Sequence, residues 1–326
     1  MDPELARYAA DIMSRIPAGQ QPEPPPVAPR AGQSHTDWLA QVARIRAQHD
    51  ELAKILAVHQ MPAGPEVASV HDVYVPVVDA DIIARVYTPV GQAPFPALVF
   101  FHGGAWWLAG GEQGLSMTDD YCRTISAATR SVVINVDYRL APEQPFPGQL
   151  EDAFTAVQWT VDHAAALHID PSNVSVMGAS SGGNLAAAVC LLARERGGPA
   201  IRSQILHVPA LDLTGGSPSV KKDPAGWEAL SRIIELYATH RDRTAPLVSP
   251  LLAELHDLPP TLVITGLHDP LRDDGRRYVE RLKERGIDAL LLEYPMLHNI
   301  ATPSTTERMF ADMAEQIRRL QGETGT

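Results

Sequence analysis

The chain has little cysteine: two residues, Cys122 and Cys190, among 326. That is too few for a disulfide framework or a cysteine-rich metal site. It also lacks a long apolar run. The longest reads Pro-Ala-Leu-Val-Phe-Phe from Pro96 and stops at His102, far short of the ~20 residues that cross a bilayer. Met1-Asp2-Pro3-Glu4 is acidic and leads into no apolar stretch, so a secretory leader is not expected. Positive charge is scarce, with 27 Lys+Arg against 39 Asp+Glu and a net charge of −12. Phosphate backbones are held by clustered Lys and Arg, so nucleic acid is not an expected partner. The chain is nevertheless 45% hydrophobic and only 20% charged, enough for a large core and incompatible with wholesale disorder. Its length suits one large α/β domain or two ordinary ones. A soluble, cytoplasmic protein without stable membrane insertion is the expectation.

Residues 1–60 differ in texture from the rest. A short amphipathic stretch at Leu5–Ile16 runs into five prolines between Pro17 and Pro26, which cannot continue a helix and predict an extended connector ending near Arg30. Ser34–Val58 then places Trp38, Leu39, Val42, Ile45, Leu52, Ile55 and Leu56 at helical spacing, with Ser34 or Asp37 as its cap. Such a helix either packs on a core or forms a lid over a pocket.

From Val67 the pattern becomes β-rich. Val73–Val78 and Ile82–Tyr87 read as an antiparallel pair turned at Asp79-Ala80-Asp81. Ala97–Phe101 is wholly apolar, the mark of a strand buried on both faces. Helical and strand patterns then alternate: helix Met117–Thr129, strand Val132–Val136, helix Leu150–Leu167, strand Val174–Met177, helix Leu185–Glu195, strand Gln204–Val208. Strand Thr261–Thr265, helix Asp273–Arg285, strand Ala289–Tyr294 and helix Thr305–Leu320 complete the series. This alternation predicts a mostly parallel, doubly wound sheet of about eight strands with helices on both faces. Ser217–Arg243, with Trp227, Leu230, Ile233, Ile234 and Tyr237, interrupts it as a helical insert at about 215–245.

In such a sheet the turns after the strands carry chemistry. After Val174–Met177 comes Gly178-Ala179-Ser180-Ser181-Gly182-Gly183, a G-x-S-x-G between strand and helix. A nucleophilic serine must protrude from a strained turn, and glycines two residues to either side remove the clashes. Only Ser180 has glycine on both sides; Ser181 is flanked by Ala179 and Gly183. The serine needs a base, and the base an orienting carboxylate. His298 follows the last strand and Asp269 the one before it, which is the chain order this fold uses. Asp273 and Asp274 compete with Asp269, or are ordinary acids of a helix first turn. His35, His49, His59, His163, His168 and His240 fall in expected helices or the insert, as solvated or packing residues. His268 adjoins Asp269 without a surrounding ligand cluster, so no metal and no organic cofactor is expected. The oxyanion of acyl transfer needs donors. The amide of Ser181 supplies one, and the loop His102-Gly103-Gly104-Ala105-Trp106-Trp107 can supply those of Gly103, Gly104 and Ala105. Trp106 and Trp107 either wall a substrate pocket or pack.

Four segments together resemble the hormone-sensitive-lipase-like carboxylesterases of the α/β-hydrolase superfamily: His102-Gly-Gly-Ala105, Asp137-Tyr-Arg-Leu-Ala-Pro-Glu143, Gly178–Gly183 and Asp269–Gly275. They span Val67 to the C-terminus. The resemblance implies a serine esterase with triad Ser180, Asp269 and His298, acting on a small-molecule ester. It also implies a cap built from the helices of residues 1–60 and from the insert, over a hydrolase domain of residues 61–326. Relatives often pair through the last strand, which makes Ala289–Tyr294 a candidate homodimer edge. Three features depart from the family: Ala105 replaces the third glycine, Ala179 and Ser181 flank the serine where Asp and Ala are usual, and Asn299-Ile300 follows His298 instead of Gly-Phe. They suggest a pocket shaped for an unusual acyl or alcohol group. Two rival readings are an arylformamidase, lactonase or deacylase using the same triad, and a non-catalytic small-molecule binder. Binders of that kind lack the histidine that this chain retains at His298.

Overall fold

The structure, a computed structural model, describes residues 1–16, 23–57 and 62–322. The first part of the proline-rich connector, the expected end of the second helix and His59 lie outside them. In chain order the elements are α1 (Pro3–Ser14), α2 (His35–Ala57), β1 (Ser69–Val77), β2 (Ala80–Thr88), β3 (Phe95–Phe101), α3 (Gly111–Met117), α4 (Asp119–Thr129) and β4 (Val132–Val136). There follow α5 (Gly148–Asp162), β5 (Ile169–Ala179), α6 (Ser181–Arg196), β6 (Gln204–His207) and α7 (Pro224–Tyr237). The chain closes with β7 (Thr261–Gly266), α8 (Arg272–Glu284), β8 (Ala289–Tyr294) and α9 (Pro303–Leu320).

The eight strands form one sheet in the order β1-β2-β4-β3-β5-β6-β7-β8. β1 and β2 pair antiparallel, as do β2 and β4, and the remaining pairs are parallel. Every residue of β4 and β7 is buried, which explains why apolar side chains occupy both faces of each, with Asn135, Thr261 and Thr265 the polar exceptions. Alternate side chains of β3 serve opposite layers. Ala97, Val99 and Phe101 join the layer that holds α5, α6 and α8 residues such as Ala153, Leu185 and Tyr278. Leu98 and Phe100 join the layer of α4 and α9, with Ile125, Met313 and Ile317.

Strand order reverses around β3. The chain leaves β3 for β4 on one side and returns to β5 on the other, with Phe101 opposite Gly178 at the carboxyl ends. The segments that follow these two strands therefore emerge side by side, at the kind of switch point where α/β sheets bind ligands.

The local differences from expectation have identifiable causes. Val77 pairs with Ala80, so the β1–β2 turn is Val78-Asp79 and not Asp79–Asp81; Asp79 takes the positive φ of 62° that the tight turn needs. The helix expected over Met117–Thr129 is two helices meeting at Thr118, whose φ/ψ of −101°/0° leaves the helical track. α5 ends at Asp162, short of Leu167. In the insert the regular helix is α7, with Pro224 at its start and the Asp223 carboxylate accepting the Gly226 amide at 3.0 Å. α6 begins at Ser181, four residues before the expected start. Gly182 and Gly183 read as turn residues but lie in its first turn, where close packing demands them.

Candidate active site

β5 ends at Ala179 and α6 begins at Ser181, leaving Ser180 alone between them at φ 54°, ψ −114°. This is a conformation that side-chain-bearing residues rarely adopt. Its amide donates to the His207 carbonyl at 2.8 Å, and its carbonyl accepts the Asn184 amide at 3.1 Å. The serine backbone is thus pinned by the strand end on one side and the helix on the other. A Cβ on Gly178 would overlap the Gly182 carbonyl, and one on Gly182 would overlap the Phe101 carbonyl. Glycine at both flanking positions is a steric requirement of the turn.

Ser180 Oγ lies 2.9 Å from His298 Nε2. His298 Nδ1 lies 2.8 Å from Asp269 Oδ2. The other oxygen of Asp269 accepts the Leu271 amide at 2.7 Å. The three residues come from the ends of β5, β7 and β8, and both side-chain distances are those of working hydrogen bonds. The Asp269 carboxylate is fully buried, whereas His298 keeps a quarter of its side-chain surface open. Burial draws the imidazole pKa down, but the charge of Asp269 and the hydrogen bond to it outweigh this and raise it above the usual 6.5.

Asp273 and Asp274 do not compete for the histidine. Asp273 pairs with Arg272 at 2.9 Å. Asp274 is fully buried and accepts the Leu211 and Asp212 amides, both at 2.9 Å, together with the Ser217 hydroxyl. It anchors the entry to the insert. Burial pushes its carboxyl up to about 7, against the hydrogen bonds it receives. His35, His163, His168 and His240 are exposed, as expected, while His49 is half-buried with its ring edge against Trp107 at 5.0 Å.

The loop after β3 runs directly past the serine: a Cβ on Gly103 would stand 3.2 Å from the Ala179 carbonyl and 3.5 Å from Ser180 Cβ. Gly104, Ala105 and Trp106 have φ of 118°, 51° and 63°. Within the described residues the amides of Gly103, Gly104 and Ala105 donate to no other group, and that of Ser181 belongs to a helix first turn, which has no internal acceptor. The first three are left without an acceptor in a loop that passes the serine at Gly103. His102 is buried, stacks on Tyr138 at 4.3 Å and lies with Nδ1 2.6 Å from the Gly103 carbonyl. Burial lowers its pKa, so the neutral ring donates there and shapes the loop start. Trp106 and Trp107 are both wholly buried. Trp106 stacks at 4.3 Å on Tyr237 of α7.

A cavity of about 130 Å³ adjoins His298, lined by Tyr121, His207, Met296, Asn299, Ile300 and Phe310 among others. Neither tryptophan borders it. A larger hollow of about 470 Å³ lies around the second half of α6, at Cys190, Arg194 and Pro199; at 1.5 Å of rise per residue its helical lining starts about 15 Å from Ser180. Among the described residues no group of three or more His, Cys, Asp or Glu is placed to hold a metal ion, and no helix is long and apolar enough to cross a membrane. Arg46 and Asp50 of α2 reach the loop after β3, and the apolar pattern of the helix does not name them. Their signal was present: they continue at four-residue steps from Val42, on the buried stripe.

Residues 98–302 match the family described as alpha/beta hydrolase fold. Carboxylesterase NlhH of Mycobacterium tuberculosis is 35% identical over 256 residues, covering 74% of this chain and 79% of that protein. An arylesterase of Saccharolobus solfataricus is 35% identical over 237 residues, covering 71% and 76%. The solved structure of a hyperthermophilic esterase from the archaeon Pyrobaculum calidifontis superposes with a TM-score of 0.77 at 32% identity, over 86% of this chain and 93% of that one.

Proposed function

The chain belongs to the alpha/beta-hydrolase family and is a carboxylic ester hydrolase, and we propose that it cleaves small-molecule esters through Ser180, His298 and Asp269 by way of an acyl-enzyme. The unbroken line from Ser180 Oγ through the imidazole to the buried carboxylate, at 2.9 and 2.8 Å, is the observation that carries this reading.

His298, with its proton on Nδ1, takes the Ser180 hydroxyl proton at Nε2 as Oγ bonds to the ester carbonyl carbon. Asp269 holds that tautomer and stabilises the imidazolium that forms. The carbonyl oxygen, now an oxyanion, receives amides of Gly103, Gly104, Ala105 and Ser181; one such donor is worth about 3–4 kcal/mol. As the intermediate collapses, the carbon–alkoxy bond breaks and His298 returns its proton to the departing alcohol. Water then loses a proton to His298 and attacks the acyl group, and a second collapse releases the acid and restores Ser180. Ala105 serves as a donor through its amide, so its methyl group does not remove it from the set.

Trp106 stacked on α7, and the contacts α2 makes with the same loop, support reading α1, α2 and the insert as a cap whose underside meets the oxyanion loop. The tryptophans then brace the loop against this cap.

Ser180→Ala is expected to abolish hydrolysis of a short p-nitrophenyl ester while the circular dichroism spectrum stays unchanged. A fluorophosphonate should label the wild type, with the adduct on the peptide containing Ser180. Retained turnover, or an adduct elsewhere, would place the nucleophile at another residue.

A further inference from the structure

The loop that carries the proposed oxyanion donors is strained at three of its non-glycine residues. Ala105, Trp106 and Ala109 have φ of 51°, 63° and 62°, a left-handed region that residues with a Cβ enter only at a cost. Conformations of this kind persist only where the surroundings over-determine them. Within the loop, the Trp107 and Leu108 amides donate to the Gly104 carbonyl at 3.1 and 2.9 Å, and the Ala141 amide donates to the Trp106 carbonyl at 2.9 Å.

Beyond these bonds and the stacking of Trp106 on Tyr237, support comes from α2, about sixty residues upstream. Arg46 Nε donates to the Trp107 carbonyl at 2.6 Å and Nη2 to the Ala141 carbonyl at 2.8 Å. The same guanidinium holds the Glu143 carboxylate with two further bonds, at 2.9 and 2.6 Å. One helical turn on, a buried Asp50 oxygen accepts the Ala109 amide at 3.0 Å, where the loop ends. Val42, Arg46 and Asp50 are four residues apart and share one face of α2. Charges on the buried stripe of an amphipathic helix are costly unless paired, and here their partners are the backbone of this loop and the segment that supports it.

We propose that Arg46 and Asp50 are positioning residues for the oxyanion loop, so that the N-terminal helix governs the rate of the chemical step as well as bounding the site. This role presupposes the serine-esterase reading above. Arg46 acts on the Trp107 carbonyl and Asp50 on the Ala109 amide; together they keep the amides of Gly103, Gly104 and Ala105 aimed beside Ser180 Oγ.

The test compares Arg46→Ala, Arg46→Lys, Asp50→Ala and Asp50→Asn with the wild type. Four readouts are needed: kcat and KM for p-nitrophenyl butanoate, inhibition by an alkyl trifluoromethyl ketone, melting temperature and circular dichroism. Arg46→Ala and Asp50→Ala should lower kcat by about 10- to 100-fold, the cost of misplacing reacting groups by about an ångström, with KM little changed. Affinity for the ketone, whose tetrahedral adduct uses the same amides, should fall in parallel. Asp50→Asn should recover most of the kcat lost in Asp50→Ala, because its carbonyl still accepts the Ala109 amide. Arg46→Lys should fall between, since one ammonium cannot span Trp107 and Glu143. Folded Ala variants with wild-type kcat and ketone affinity would overturn the assignment. So would a raised KM with kcat intact, or a lowered melting temperature with kcat intact. If Arg46→Ala does not fold, Arg46→Lys and Asp50→Ala decide by the same criteria. A wild type that fluorophosphonate fails to label would instead sink the serine-esterase reading, whereas a labelled, active wild type with indifferent variants sinks only the positioning role.

Discussion

Replacing Asp269 by Asn changes one atom, and the surroundings dictate how the new side chain must sit. One oxygen of Asp269 accepts the Leu271 amide at 2.7 Å, and the other faces His298 Nδ1 at 2.8 Å. Leu271 still requires an acceptor, so the asparagine carbonyl takes that side and the NH2 group meets Nδ1. Two donors cannot face one another. The imidazole therefore shifts its proton to Nε2, which points at Ser180 Oγ, and the serine has no base. A wrong tautomer in such a relay costs on the order of 10⁴ in kcat, or about 5 kcal/mol of barrier. Initial rates on a p-nitrophenyl ester, with circular dichroism to confirm folding, measure it directly. A correctly folded Asp269→Asn enzyme within about tenfold of wild type would refute the tautomer argument, since the change in rate would be about three orders smaller than a lost base requires.

His298 must be neutral to accept a proton, and Asp269 raises its pKa above 6.5 despite burial. The rise of kcat/KM with pH should therefore be centred above 6.5 in the wild type and should move down in Asp269→Asn, where burial acts without the carboxylate; urea titration across pH adds a second check. A histidine whose pKa is raised on folding stabilises the fold fully below its unfolded value of about 6.5, and this is lost as pH climbs through the folded value. The wild type should thus lose its stability advantage over Asp269→Asn on the alkaline side, and an advantage that grows there would contradict the assignment. Gly182→Ala should destabilise the fold by about 1–3 kcal/mol by pressing a methyl group into the Phe101 and His102 carbonyls. It should also cut activity, because the same shift separates Ser180 from Gly103; an unchanged urea midpoint would show that the turn has slack.

Much of this architecture is legible from apolar texture. Ala97–Phe101, Val132–Val136 and Thr261–Thr265 announce themselves because strands buried on both faces need little polar side; Asp269 comes just after the last of them, and Ser180 and His298 come after β5 and the half-buried β8. Where the reading fails, one residue type serves two purposes. Gly182 and Gly183 look like a turn, yet they begin α6, chosen for the absence of a side chain against the β3 carbonyls and Pro209. Thr118 divides two helices with neither glycine nor proline to mark the break. Arg46 and Asp50 stand in line with Val42 on the buried stripe, yet what they hold is not legible, because their partners lie 61, 95 and 59 positions away. Local periodicity carries no record of contacts at that range.

The backbone torsion of Ser180 has a consequence for the economy of the whole chain. A serine held at φ 54°, ψ −114° spends on the order of 1–3 kcal/mol of fold stability on keeping its hydroxyl clear of the sheet. Glycine enters that region freely, so Ser180→Gly should yield an inert protein that melts later than Ser180→Ala, although both lack the hydroxyl. Durability and turnover pull against each other at this single residue, and any selection for a hardier scaffold that ignores catalysis should erode the serine first.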